Sequence, residues 1–296
     1  MSLADGGCTV VDRSVMGTES KFAEKRVLGR NGLVVGRLGL GSSYGAPAAA
    51  YERAFEHGCN YFYWGSLRSE AMAKAIRHLV GRHRDQLVVV LQSYSRLGLR
   101  LRPRIEAGLR RLNLEYADVL LLGLHNSLPR PAVMEAAMWL KERGRVRHLA
   151  VSAHHRPIFQ QYAADLRFEV VMVRYNAAHR GAEGEVFPHL STGATTRPGV
   201  VSYTATRWGT LLDPRYTPPG RRTPTAADCY RFVLSNPNVD VCLTAPATEA
   251  EMDANLRALE LGPMSDEERQ WLHVVGDHVH GLTARSWRNP FMQRTQ

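Results

Sequence analysis

Apolar runs and amphipathic segments alternate along almost the whole of this 296-residue chain. Continuous apolar stretches lie near residues 59–63, 87–92, 118–124, 147–152, 168–173, 199–204 and 239–243, with an earlier one over 38–42. Strands buried on both faces read this way, because neither face meets water. Between them, residues 47–57, 69–81, 103–113, 130–143, 156–165, 183–190, 225–235 and 249–259 carry apolar side chains at helical spacing. Eight strand–helix pairs predict an α/β chain closed as a (β/α)8 TIM barrel. Barrel ligands bind at the C-terminal ends of the strands, so residues just after each apolar run are the ones to watch.

The ends add detail. Two short alternating runs flank Asn31-Gly32, which predicts an N-terminal hairpin with a tight turn. Ser265 precedes three acidic residues and an apolar pattern, the signature of an extra C-terminal helix. Residues 1–25 are small, polar and unpatterned, and read as a flexible extension before one barrel domain over 26–296. The longest connection, 205–223, is rich in Pro, Gly and Arg, follows the seventh strand, and belongs to the ligand-binding face.

Composition excludes some functions. No apolar run reaches membrane-spanning length, and the N-terminus has no secretory apolar core, so a cytoplasmic location is expected. Cys8, Cys59, Cys229 and Cys242 share no metal-ligand spacing, and neither His154-His155 nor the His278/His280 pair has a completing carboxylate or thiol. No metal site is expected. The net charge is +10, but the basic residues are scattered and no nucleic-acid motif accompanies them. A small, anionic substrate accounts for the charge better than nucleic acid does. Oligomeric state is not readable.

Particular segments carry a resemblance. GCNYFYWGSLRSE (58–70) keeps Gly58, Asn60, Phe62, Gly65, Ser69 and Glu70 of the pattern G-x-N-x-F-D-T-A-x-x-Y-G-x-x-x-S-E. RRLNLEYADVLLLGLHN resembles S-L-x-R-L-x-x-D-Y-x-D-L-x-x-x-H, and RGRVRHLAVSAHH resembles G-K-V-R-x-I-G-V-S-N. GVVSYTATRWGTLL and ATEAEMDANLRAL follow in the expected order. Together, and in register with the eight units, these make the chain similar to the aldo-keto reductases.

The resemblance implies a catalytic tetrad of Asp, Tyr, Lys and His and an NADPH cofactor. A tyrosine protonates the substrate carbonyl as hydride arrives, with its pKa lowered by the lysine. In this chain the tetrad is degenerate. His125 matches the histidine at the end of the fourth barrel strand. Gln92 stands at the lysine, Tyr63 at the aspartate and Trp64 at the tyrosine, in a shortened loop. Gln carries no charge and an indole N–H is no acid at neutral pH. Tyr63, with His125, is therefore the expected catalytic pair, and Tyr44, Trp64 and Gln92 are expected in the substrate pocket. Arg68 or Arg174 could restore a positive charge.

On the cofactor side, the resemblance assigns Ser152, Asn176, Tyr203, Trp208, Gly209, Thr248 and Asn255, with Thr248 where an arginine often grips the 2′-phosphate. Ala153 and Met172 replace an Asn and a Gln, so the NADPH site reads as weakened. The leading expectation is a divergent NADPH-dependent oxidoreductase acting on a carbonyl or related small substrate. The alternative is a non-redox barrel: a cofactor-independent lyase, isomerase or cyclase, or a non-catalytic ligand binder.

Overall fold

A computed structural model describes residues 22–65, 69–190 and 196–287. A two-stranded hairpin opens it, β1 (Arg26–Val27) pairing antiparallel with β2 (Val34–Val35). Asn31 Oδ1 accepts the Leu33 N–H at 2.8 Å, and Gly32 takes the left-handed φ of +76° that the turn requires.

Eight parallel strands then close on themselves: β3 (Leu38–Gly41), β4 (Tyr61–Trp64), β5 (Val88–Ser93), β6 (Ala117–Leu122), β7 (Val146–Ser152), β8 (Val170–Arg174), β9 (Gly199–Tyr203) and β10 (Val241–Thr244). β10 returns to pair with β3, so the sheet has no free edge. The expected TIM barrel is the observed fold.

Strand alternation sorts the side chains into two cores. One set fills the barrel interior, including Tyr61, Val88, Val90, Val119, Leu121 and Val170. Leu28 and Val35 of the hairpin join that set, and Leu28 lies against Gly199 at the start of β9. They close the lower end. The other set, with Phe62, Leu91, Leu120 and Val171, faces the surrounding helices. Gly39 points inward and has no room for more: a Cβ there would lie 2.7 Å from Leu243 and 2.9 Å from Val241. Below, Asp240 takes a two-pronged contact from Arg197, at 2.7 and 2.8 Å, both buried. The Asp240 carboxylate also accepts the Val200 N–H, so its charge is satisfied on both sides.

Helices pack outside: α1 (Ala48–Glu56), α2 (Glu70–His83), α3 (Gly98–Leu112), α4 (Pro131–Glu142), α5 (Phe159–Ala164), α6 (Ala182–Glu185), α7 (Ala226–Leu234), α8 (Glu249–Leu261) and the terminal α9 (Asp266–Trp287). Ser265 caps α9 as expected, its Oγ accepting the Glu268 N–H while the Glu268 carboxylate accepts the Ser265 N–H. The helix expected over 183–190 is shorter, since Gly184 and Pro188 fall inside it; α6 gives way to a 3₁₀ turn at Phe187–His189. Connection 205–223 is built of two 3₁₀ turns, with Leu211 buried beneath and Arg222 stacked on Trp271 of α9. Most of the expected N-terminal extension, residues 1–21, lies outside the described residues.

Candidate active site at the barrel mouth

A cavity of about 330 Å³ opens at the C-terminal ends of the strands. Its walls are aromatic: Tyr44, Tyr63, Tyr94, Tyr203, Trp208 and Tyr230. Leu124, Met172 and Leu243 fill between them, and Ser152 and His154 add polar groups. Among the described residues, no carboxylate, lysine or arginine belongs to this lining.

Of the expected catalytic and pocket residues, Tyr63, Tyr44 and Gln92 are near one another or the cavity. Tyr63 and Gln92 occupy adjacent inward positions on β4 and β5, and the Tyr63 hydroxyl donates to Gln92 Oε1. The Tyr63 oxygen also lies 3.3 Å from the Tyr94 hydroxyl. Burial pushes the Tyr63 phenol well above its ordinary pKa, and neighbouring Tyr94 pushes it further. A phenol so placed holds its proton rather than giving it. Tyr94, half-exposed in the cavity wall, was not singled out from the sequence. Its signal was parity: residues 88, 90 and 92 of β5 face inward, and 94 continues the series.

Trp64 does not join them. One residue beyond Tyr63, it faces the opposite side of β4, packs against α3 at Gly108, and donates its indole N–H to the Ser69 carbonyl at 3.0 Å. Two consecutive strand residues cannot both face the barrel axis. Arg68 lies outside the described residues.

His125 is also displaced. Leu124 adopts a left-handed φ of +57°, which breaks the strand's alternation and turns Leu124 into the cavity. The buried His125 ring sits beside Arg96, Nε2 to Nη1 at 3.1 Å. Burial, then Arg96, pull its pKa down to about 4, so it is neutral and accepts from the guanidinium. Arg96 also donates to the Gly123 and Leu124 carbonyls at 3.0 and 2.5 Å, and so clamps this turn. Counted from Asp118, the motif's histidine falls on Gly123, not on His125. Gly123 is the inward residue after Leu121, and a Cβ there would lie 2.5 Å from the Tyr94 ring. Tyr94 therefore occupies the space that a side chain at 123 would use.

Among the residues assigned to a cofactor, Ser152, Tyr203 and Trp208 line the cavity. The Ser152 hydroxyl accepts the Leu124 N–H at 2.9 Å. Tyr203 is the last inward ring of β9, its pKa raised by burial to about 12. The others are engaged by the chain itself. Asn176 donates to the Thr204 carbonyl and accepts from Ala178 N–H, at 2.8 and 3.0 Å. The Gly209 N–H goes to Thr206 Oγ1. Asn255 donates to Thr244 Oγ1, which in turn meets the Tyr230 hydroxyl. Thr248 caps α8, accepting the Glu251 N–H at 3.1 Å, and the Glu251 carboxylate accepts Ala247 N–H at 2.7 Å. The positive end of this helix is met by the chain's own glutamate.

Comparison with known proteins agrees with this architecture. The family model described as Aldo/keto reductase family matches residues 35–224. The chain belongs to that family. It is 24% identical to an L-galactose dehydrogenase of Arabidopsis thaliana, across 88% of this chain and 96% of the plant protein. Among solved structures, the holo form of an aldo-keto reductase from Bacillus halodurans superposes with a TM-score of 0.70 at 20% identity, covering 85% of this chain and 96% of that one. An aldo/keto reductase from Klebsiella pneumoniae, in complex with NADP and acetate, gives 0.69 at 20% identity, over 86% and 96%. No helix among the described residues is long and apolar enough to cross a membrane, and no metal-binding cluster occurs among them.

Proposed function

We propose that the mouth cavity is the substrate site of a nicotinamide-using oxidoreductase that works without the family's tyrosine–lysine proton relay. The observation that carries this reading is the cavity wall where Tyr203 and the Ser152 hydroxyl stand together at the ends of β9 and β7. The family resemblance assigns both positions to the nicotinamide bed, and membership in the family supports redox use of it.

The residues present fit the ring end of such a cofactor: a flat phenol to lie beneath it, a serine hydroxyl beside it, and Trp208 at the rim. Bound there, the cofactor supplies a hydride. The phosphate end fits less well. Thr248, Glu251 and Asn255 are satisfied internally, and Arg53 of α1 pairs with Glu249 and Asp253 of α8. A 2′-phosphate meets glutamates where the family commonly offers an arginine. We therefore read NADPH as weakly held, with no preference over NADH.

This chain's own residues set the proton chemistry. Tyr63 is locked to Gln92, and no cation among the described residues lowers its pKa. Tyr94 presents the accessible hydroxyl. Substrates that need little protonation in the transition state suit such a site; unactivated ketones do not.

A second reading follows from Gly123, Gln92 and the self-capped α8: a barrel that binds a small molecule and performs no redox step. Titrating the purified protein with NADH and NADPH, while following nicotinamide fluorescence, separates the two. Saturable binding of both, within about threefold of each other, is expected from the first reading. No binding at millimolar cofactor removes it and leaves the second. If turnover is found, Tyr94→Phe should lower kcat by about tenfold or more, and survival of full kcat would show that the hydroxyl is not the donor.

A further inference from the structure

Among the described residues the mouth cavity is lined by no charged side chain, yet positive charge is built immediately beside it. A second cavity of about 210 Å³ lies on the β8 side, lined by Ala153, His154, Arg156, Phe159, Val173, Arg174 and His179. His154 lines both cavities, so the two share a wall.

Arg174 is the centre of this second site. It is the last inward residue of β8, paired in register with Tyr203. No carboxylate lies within ion-pair distance of it among the described residues. Its Nη2 meets His179 Nε2, its guanidinium stands 5.3 Å over the Trp208 ring, and its Nε is buried without a hydrogen-bond partner. A half-buried guanidinium with an unused donor and no counter-charge is costly unless something anionic arrives.

The surroundings add to the field. Arg156 spends one donor on Glu185 at 2.6 Å, while its own Nε is also buried and unpartnered. Its guanidinium lies so close over Gly181 that a Cβ there would be 2.7 Å from Cζ. His179 is held neutral, with its pKa pulled down to about 3 by burial first and Arg174 second. His154 is shifted the same way by the same two causes. Neutral imidazoles beside two guanidiniums leave the oxyanion to the arginine forks and accept or donate single hydrogen bonds around it.

We propose that this pocket is an oxyanion subsite, holding the carboxylate or phosphate of a small molecule whose uncharged body lies in the tyrosine-lined cavity. Arg174 supplies the fork, Arg156 the outer rim, and Trp208 closes over the guanidinium. The proposal deepens the reading of the mouth as a substrate site and names the class of substrate: an aromatic or unsaturated acid or its phosphate ester.

Isothermal titration of the full chain with benzoate, phenyl phosphate and neutral benzyl alcohol tests it. The anionic probes should bind at least tenfold more tightly than benzyl alcohol, and rising salt should narrow the gap. Arg174→Gln should weaken the anions by about ten- to hundredfold, the range expected for a charge-assisted contact, with benzyl alcohol unchanged. Arg174→Lys should recover part of the loss, since charge returns without the planar fork. Should Arg174→Gln fail to fold, Arg156→Gln is expected to weaken the anions by a few-fold. Anions that bind no better than benzyl alcohol, or that do not bind at all, overturn the proposal; so does anion binding indifferent to both arginine variants. Phenyl phosphate against benzoate tells which oxyanion the pocket favours. Failure of nicotinamide binding together with arginine-dependent anion binding would refute the redox reading while leaving the subsite standing.

Discussion

The two walls of the barrel mouth have been built on opposite electrostatic plans. On the β4–β6 wall, Tyr63, Gln92, Tyr94 and Gly123 are neutral; the polar groups of the first three meet one another, and the glycine gives up its space to Tyr94. On the β8 wall, Arg174 and Arg156 keep unused buried donors beside His154 and His179. Aldo-keto reductase chemistry, as the family resemblance describes it, concentrates charge on the first wall to make a tyrosine acidic. Here the side chains around Tyr63 are neutral among the described residues, Arg96 being spent on the Gly123 and Leu124 carbonyls and His125, while a guanidinium with an unused donor stands on the other wall. A phenol without a neighbouring cation is a poor acid, whereas a guanidinium without a counter-ion is a ready anion receptor. On the function proposed above, the same barrel holds the family's fold without its proton relay.

The comparison can be broken at several points. The largest expected effect is the acid limb of stability. His125 has a folded pKa of about 4 against an ordinary value of 6.5. Its neutral form is favoured by folding, so its contribution is fully present above pH 6.5 and is lost as pH falls towards 4. That loss is on the order of 3 kcal/mol, at a slope of about 1.4 kcal/mol per pH unit. Urea denaturation across this range measures it, and His125→Asn should flatten the slope by one proton. An unchanged slope would mean that His125 is not held neutral beside Arg96.

Smaller is the cost of refilling the first wall. Gly123→Ala puts a methyl group into the Tyr94 ring, and should cost about 1–3 kcal/mol, as overpacking does. Tyr94 is half-exposed and can swing out, which places the value towards the low end. A neutral substitution would show that the ring does not rest where the structure has it.

Much of this was legible in the sequence. Eight apolar runs, the Asn31-Gly32 turn and the Ser265 cap gave the barrel, the hairpin and the last helix, because each rests on local chemistry. That Gln92 and Tyr63 stand where the family resemblance expects a lysine and an aspartate was a reading of the sequence alone. Trp64 and Tyr94 were misjudged for one reason: motif matching ignores strand parity, which sends Trp64 outward and Tyr94 inward. Thr248 with Glu251 three residues on is an N-cap pattern that could have been read directly, Thr248 accepting the Glu251 N–H and Glu251 accepting the Ala247 N–H. His125 was harder. It depends on a left-handed Leu124, and nothing in a leucine announces that conformation. Arg174 was visible only as a stray cation, since the lack of a carboxylate around it is a property of the folded chain.

The central claim is that Tyr63 is not made acidic by a neighbouring cation among the described residues. Absorbance titration of tyrosinate near 295 nm, comparing the intact protein with Tyr63→Phe and Tyr94→Phe, tests it without any substrate. The structure predicts a Tyr63 that ionises only well above the ordinary value of about 10, with burial the chief cause. A tyrosinate forming near neutrality, and abolished by Tyr63→Phe, would contradict the account.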